Sequence, residues 1–237
     1  MIVNFSVPFV FFKTRKTAST SVEAALEEAF WGSPASHGKR ASIYRDGFVT
    51  GRPHNFRHPI AARWGYLTAR RYFGEFSLTS REVEKLLALS PHSSVFAARQ
   101  ALPEDIWHRA KKIVVVRNPW DKAVSDFYWK TRGRGLLDND FDLFQSYAHQ
   151  AMPIALESEM TQHWDDTWVC IRFENLLEDF QRLVVKLGGI PPSALPKYKT
   201  AVRPTGSAYQ HLYTQESRDT VGANWKGWVE QFGYRFE

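Results

Sequence analysis

Lys16, Thr17, Thr20 and Ser21 stand at the junction between an apolar run and a helical pattern, where a chain can hold an anion. The run from Ile2 to Phe12 leads into Lys13-Thr14-Arg15-Lys16-Thr17-Ala18-Ser19-Thr20-Ser21, and Val22 to Phe30 continues with helical spacing. The order is strand, loop, helix. Backbone N–H groups at a helix start carry partial positive charge, the lysine adds a full one, and the hydroxyls can donate, which suits phosphate. No glycine lies between Met1 and Trp31, so this is not the glycine-rich loop of nucleotide triphosphatases. A second candidate is Arg117, which closes the apolar run from Lys112. A charge at the end of a buried strand needs an anion, and a guanidinium grips phosphate in bidentate fashion. Ser125 follows about one turn into the next helical pattern. A hydroxyl acceptor would also need a base, and histidine suits neutral pH; the chain has eight.

Taken together, the loop Lys16-Thr17-Ala18-Ser19-Thr20-Ser21 and the segment Val116-Arg117-Asn118-Pro119-Trp120-Asp121 with Val124-Ser125 resemble the two cofactor motifs of sulfotransferases. These enzymes use 3′-phosphoadenosine 5′-phosphosulfate (PAPS). Arg172-Phe173-Glu174-Asn175-Leu176 and Phe232-Gly233-Tyr234-Arg235-Phe236 resemble later stretches of bacterial members, which are similar to the heparan 2-O-sulfotransferase branch. The resemblance covers most of the chain in order but is poor over residues 32–78. It implies that Lys16 contacts the bridging oxygen of the donor. It implies that Thr17, Ala18, Ser19, Thr20 and Ser21 hold the 5′-phosphate. Arg117 and Ser125 would hold the 3′-phosphate, with Arg203 as a further nucleotide contact. The branch places a base histidine ahead of the arginine strand, and His92, 25 residues before Arg117, matches it. His54 and His58 come next. Two positions depart from the pattern: Arg15 stands where proline is common, and Ser19 where many relatives have glycine.

Composition sets the frame. A chain of 237 residues with 43% hydrophobic and 15% aromatic residues can bury a sizeable core as one domain, residues 1–237. The single cysteine, Cys170, rules out an internal disulfide framework and fits a reducing compartment. The N-terminal apolar run does not read as a signal peptide, because no basic residue precedes it and it ends in a basic segment. No membrane span is expected, and the expected location is cytoplasmic. The net charge is +6, and residues 36–73 hold eight Lys or Arg against Asp46 alone. Such a field attracts anions, the cofactor being one and an acidic acceptor another. No nucleic-acid reader motif is present.

The elements that would position these groups alternate between strand and helix. We expect a first, central strand over Ile2–Lys13 and a helix over Ser19–Trp31, then an irregular basic insertion over residues 32–78. Thr79 and Glu82 form a capping box for a helix to Leu89. Helices are expected around Val95–Gln100 and from Pro103 to Ala110, a strand over Lys112–Arg117, and helices over Pro119–Trp129 and Phe141–Met152. A strand over Trp168–Arg172 and a helix over Glu174–Leu187, stopped by Gly188-Gly189, follow. A last helix runs from Thr214 towards Phe232, interrupted at Gly222 and Gly227. The pattern predicts an α/β protein, three layers with a central parallel sheet, and the resemblance specifies the P-loop nucleotide-kinase-like sulfotransferase fold.

Plainer readings stand beside these. Arg117 could simply pair with Asp121 or Glu174, and Lys16 could be a solvated lysine. Asp138, Asp140 and Asp142 start like a calcium loop but lack its glycine and closing glutamate, so Asp138 and Asp140 read as helix N-terminal charges, and no metal is expected. Trp120, Trp129, Trp164 and Trp168 read as core. The expected function is sulfuryl transfer from PAPS to an acceptor hydroxyl on a carbohydrate or glycoconjugate. A non-catalytic anion- or glycan-binding relative and a P-loop-type kinase are the alternatives.

Overall fold

Side chains alternate along a strand, so the valines of the Lys111–Val116 strand divide between two faces, and two cores grow from that division. The computed structural model describes residues 1–4, 7–31, 89, 92–131, 139–197 and 208–237. Four strands form one sheet in the order β1 (Ile2–Asn4), β2 (Phe9–Phe12), β3 (Lys111–Val116) and β4 (Trp168–Arg172). β2, β3 and β4 are parallel, and β1 is antiparallel to β2. The helices among the described residues are α1 (Ser19–Trp31), α2 (Val95–Ala101), α3 (Glu104–Arg109), α4 (Pro119–Thr131) and α5 (Asp140–Ala148). They continue with α6 (Ala155–Gln162), α7 (Leu176–Lys186), α8 (Gln215–Asn224) and α9 (Lys226–Phe232).

Val10, Phe12, Val114 and Val116 enter one core with side chains of α2 to α6, α8 and α9, among them Trp107, Phe127 and Phe144. Phe9, Phe11, Ile113, Val115 and Ile171 enter the other with Val22 and Leu26 of α1 and Phe180 and Leu183 of α7. The protein is therefore mixed α/β, with helices on both faces of a mostly parallel sheet. Each fully buried side chain of this kind contributes about 1.5–3 kcal/mol, against a net of about 0.5–1.5 kcal/mol for a ladder hydrogen bond, so the two cores outweigh the ladder. No helix among the described residues is long and apolar enough to cross a membrane.

Several sequence expectations need correction. The apolar run at the start is not one strand to Lys13 but a hairpin of β1 and β2. Pro8 lies between them; lacking an N–H it cannot continue an inner ladder, although its carbonyl accepts from Lys111 N–H (3.0 Å). α5 stops at Ala148 rather than Met152, and α6 was not foreseen. It starts after Pro153, with the Glu157 carboxylate accepting from Ile154 N–H (3.0 Å). The helix expected from Glu174 is a 3₁₀ turn (Phe173–Asn175) followed by α7. Its stop is as read: Gly188 is left-handed (φ 79°), and Gly189 N–H returns to Val184 O (2.9 Å). The C-terminal helix breaks at Trp225, not at its glycines. The insertion 32–78, the helix from Thr79 (Leu89 apart) and Arg203 lie outside the described residues.

Gly222 sits inside α8 because a Cβ there would come within 3.0 Å of Cζ2 of Trp120, whose indole N–H is bound to Arg218 O (2.8 Å). Gly222→Val should therefore destabilise the protein by about 1–3 kcal/mol, the usual cost of overpacking. Urea unfolding measures it, and an unchanged midpoint would contradict the contact.

Candidate anion site

The loop between β2 and α1 is built on two left-handed residues that are not glycine, Lys16 (φ 57°) and Ala18 (φ 54°). Each such residue with a Cβ costs roughly 1–2 kcal/mol, so neighbours must hold the turn in place. Thr14, fully buried, does much of this. Its hydroxyl donates to Val115 O of β3 (2.6 Å). Having one proton, it must be the acceptor in its 2.8 Å contact with the Thr17 hydroxyl. Ser19 Oγ donates to Thr14 O (3.0 Å), and Thr17 Oγ1 lies 3.2 Å from the same carbonyl. Sequence reasoning gave Thr14 no role; only the cross-strand partner, 101 residues away, reveals it.

This alters the parts assigned within the loop. The hydroxyls of Thr17 and Ser19 turn inward to Thr14 rather than outward. Ser19, standing where glycine is common in the resembled family, opens α1 in ordinary conformation; the left-handed positions are Lys16 and Ala18. Ser21 is buried and Thr20 half-buried. What the loop presents to an anion is backbone. The first N–H groups of a helix have no intrahelical acceptor, and left-handed turns make them converge. Lys13 turns into the core, where its ammonium pairs with the buried Glu23 carboxylate.

Arg117 comes to this loop from β3. It is buried, and its Nη1 donates to Lys16 O (2.7 Å) while Nε and Nη2 reach Asp121 Oδ2 (both 2.7 Å). Its guanidinium carbon lies 3.9 Å from the centroid of the Phe173 ring. The pair with Asp121 is thus formed. Glu174 instead accepts from Asn118 N–H (2.8 Å) and the Tyr234 hydroxyl (3.1 Å). Asn118 caps α4 through Trp120 N–H (3.0 Å), with Pro119 at the first helical position.

Along α4, Asp121, Ser125 and Trp129 recur every four residues and share a face. Asp121 holds the arginine that reaches Lys16, and the Trp129 ring lies 4.4 Å from Lys16 Nζ. Ser125 stands between them, half-buried. Trp129, read as core from sequence, is a half-buried platform for the loop lysine, while Trp120 and Trp168 are buried as expected and Trp164 stacks on Trp168 (5.3 Å).

His92 joins the same loop at Lys13. Its Nδ1 lies 2.6 Å from Lys13 O. A carbonyl can only accept, so Nδ1 carries the proton and Nε2 keeps its lone pair. Burial pulls the imidazole down to about 4, and the nearby charges of Lys13 and Arg15 act the same way, against the hydrogen bond to Lys13. His92 is therefore a neutral, oriented imidazole at pH 7.

Two neighbours of the loop escaped the sequence. Lys122 and Glu157 form a buried ion pair; Glu157 also accepts from the Arg15 amide (3.4 Å), and Lys122 Nζ lies 4.5 Å from the Trp225 ring. Burial lowers the Lys122 ammonium and Glu157 opposes it. The partners are 35 residues apart, and no spacing rule joins them. Asp140 lies in the first turn of α5, as read, with Asp142 beside it; Asp138 lies outside the described residues. Burial pushes the Cys170 thiol up to about 12, so it is no nucleophile at neutral pH.

The site thus gathers two cations, a helix start and a neutral imidazole around one loop, an arrangement able to bind a phosphorylated ligand and to accept a proton. Comparison with family models, curated proteins and solved structures returns no match.

The folded His92 sits below the ordinary histidine value, so the unfolded chain binds the extra proton between pH 6.5 and about 4. Stability should fall as pH is lowered through that window, and His92→Gln should flatten that part of the profile. Imidazole NMR should place the His92 midpoint near 4; a midpoint near 6.5 would contradict the geometry.

Proposed function

We propose that this chain is a PAPS-dependent sulfotransferase acting on a hydroxyl of a carbohydrate or glycoconjugate, in the cytoplasm, on a three-layer P-loop nucleotide-kinase-like fold. The observation that carries the reading is the meeting of three groups on one loop. His92 binds the carbonyl of Lys13, Arg117 binds the carbonyl of Lys16, and Lys16 begins the left-handed turn into α1. These are the residues on which the sequence resemblance rests. The lone cysteine supports the location.

The residues present fit the donor. PAPS would supply the sulfuryl group on a 5′-phosphate and a 3′-phosphate for recognition. The amides from Ala18 to Thr20 would hold the 5′-phosphate at the start of α1, the Ser21 amide being taken by Ala18 O (2.8 Å). Lys16, lifted on Trp129, would neutralise charge growing on the leaving oxygen. Nε2 of His92 would take the proton of the acceptor hydroxyl, its partner nitrogen being fixed by Lys13 O. Arg117 and Ser125 would bind the 3′-phosphate, which competes with Asp121 for the guanidinium edge. Arg203 is proposed as a further nucleotide contact by resemblance alone.

Transfer of labelled sulfate from PAPS to a panel of glycans tests the reading directly. Lys16→Ala should lower kcat roughly 10²–10³-fold with the fold intact, because its charge matters most in the transition state. Turnover near wild type would remove Lys16 from the chemistry.

Charge-assisted bonds to phosphate are each worth roughly 1.5–3 kcal/mol. The double substitution Arg117→Ala with Ser125→Ala should therefore weaken adenosine 3′,5′-bisphosphate about 10²-fold or more, measured by calorimetry. Adenosine 5′-monophosphate should lose clearly less, only what the loop gives up when its bond from Arg117 to Lys16 O goes. Equal losses for both ligands would make the pair structural.

A further inference from the structure

The peptide that joins Arg117 to Asn118 is bound at both of its polar atoms by side chains from later parts of the chain. Its carbonyl accepts from the indole N–H of the buried Trp228 (3.2 Å). Its N–H donates to Glu174 Oε1 (2.8 Å), and the other oxygen of that carboxylate accepts from the Tyr234 hydroxyl (3.1 Å). The Asn118 side chain adds a third tie. Its amide donates to Arg235 O (2.8 Å) while its oxygen caps α4. The ladder of β3 with β4 runs to Val116, opposite Arg172, and fixes the backbone before Arg117. A peptide group is planar, so binding both atoms of the next one fixes the backbone after it. Arg117 is thus held on both sides, and its side chain has one direction in which to leave.

The groups that do this are themselves held. Tyr234 is buried, its ring centroid lies 5.2 Å from the Arg172 guanidinium, and its N–H returns to Val229 O (3.2 Å) past left-handed Gly233. Burial, and then the Glu174 charge, push the Tyr234 phenol above its ordinary value, so it keeps its proton and donates at neutral pH. Phe236 stands edge-on to the rings of Trp120 (5.7 Å), Tyr209 (5.6 Å) and Tyr213 (5.2 Å). Glu174, by contrast, is exposed. An exposed carboxylate can turn to water, and the Tyr234 hydroxyl is what keeps it on the Asn118 amide. The route from this clamp to the anion loop is the Arg117 guanidinium, which donates to Lys16 O (2.7 Å).

We propose that Glu174, Tyr234 and Trp228 are positioning residues for Arg117, and that this clamp sets how well the site tells a nucleotide with a 3′-phosphate from one without it. The 3′-phosphate rests on the sulfotransferase reading; the clamp can be read without ligand. Glu174 gives the cleanest variants, because it is exposed and its substitution spares the core. Glu174→Ala removes both bonds. Glu174→Gln keeps both without the charge, its oxygen accepting from Asn118 N–H and its amide donating to the Tyr234 oxygen. Calorimetry with adenosine 3′,5′-bisphosphate and adenosine 5′-monophosphate gives the ratio of the two dissociation constants. Glu174→Ala should cut the wild-type preference for the bisphosphate about 5–10-fold and Tyr234→Phe about 3-fold, the order expected for one or two hydrogen bonds. Glu174→Gln should keep most of it. Added to Arg117→Ala, Glu174→Ala should change the ratio no further, since the clamp acts through that arginine. A role in stability alone would lower the melting temperature and leave the ratio as it is. In ligand-free protein, the Arg117 Nε–H resonance should exchange slowly in wild type and in Glu174→Gln, and be lost to exchange in Glu174→Ala. If wild type prefers the bisphosphate and Glu174→Ala prefers it equally, or if Gln loses as much as Ala, the clamp is overturned and the nucleotide reading stands. If wild type shows no preference, the nucleotide reading falls and selectivity with it, and the Nε–H resonance decides the clamp: loss in Glu174→Ala alone upholds it, and an unchanged signal overturns it.

Discussion

The bond from the Arg117 guanidinium to the carbonyl of Lys16 is the constraint on which the site depends. A buried arginine is costly unless it is paired, and here Asp121 and the Lys16 carbonyl accept from its three nitrogens while the Phe173 ring covers its face. In exchange the guanidinium fixes the carbonyl of a residue in left-handed conformation. Thr14 anchors the other side of the turn to β3. The turn is thus held from both sides by one strand, Val115 before it and Arg117 after it. A loop pinned in this way meets an anion with its amides already in place, and less of the binding energy is lost to ordering.

The sheet explains why these groups meet. β2, β3 and β4 are parallel, so their C-terminal ends lie at one edge, where ligands bind in open α/β sheets. β2 delivers the loop, β3 delivers Arg117, and β4 delivers Phe173 under the guanidinium and Glu174 to the Asn118 amide. The C-terminal segment then closes over the start of α4. Gly233 is left-handed, Tyr234 donates to Glu174, and Phe236 packs on Trp120 (5.7 Å). Four stretches far apart in sequence therefore serve one edge of one sheet.

What could be read from the sequence is what local physics dictates. α1 and β4 have the limits expected, because hydroxyls before a helical period and a short apolar strand are local signals. The hairpin was hidden because Ile2 to Phe12 is mostly apolar, broken only by Asn4, Ser6 and Pro8. The groups around the loop were legible as types: Lys16, Arg117 and His92 do converge. Their partners were not. The Thr14 bond spans 101 residues and the Lys122–Glu157 pair 35, and no periodicity links such positions. Nor does composition announce left-handed backbone at a lysine and an alanine, since a glycine is the usual sign and this loop has none.

The central claim is that this loop and Arg117 together recognise a nucleotide carrying both a 5′- and a 3′-phosphate. Calorimetric titration of the wild-type protein with adenosine 3′,5′-bisphosphate, and separately with ATP and magnesium, tests it most directly. The account predicts tight, magnesium-independent binding of the bisphosphate and weak binding of ATP. Magnesium-dependent binding of ATP at equal or higher affinity would contradict it and point to phosphoryl transfer instead.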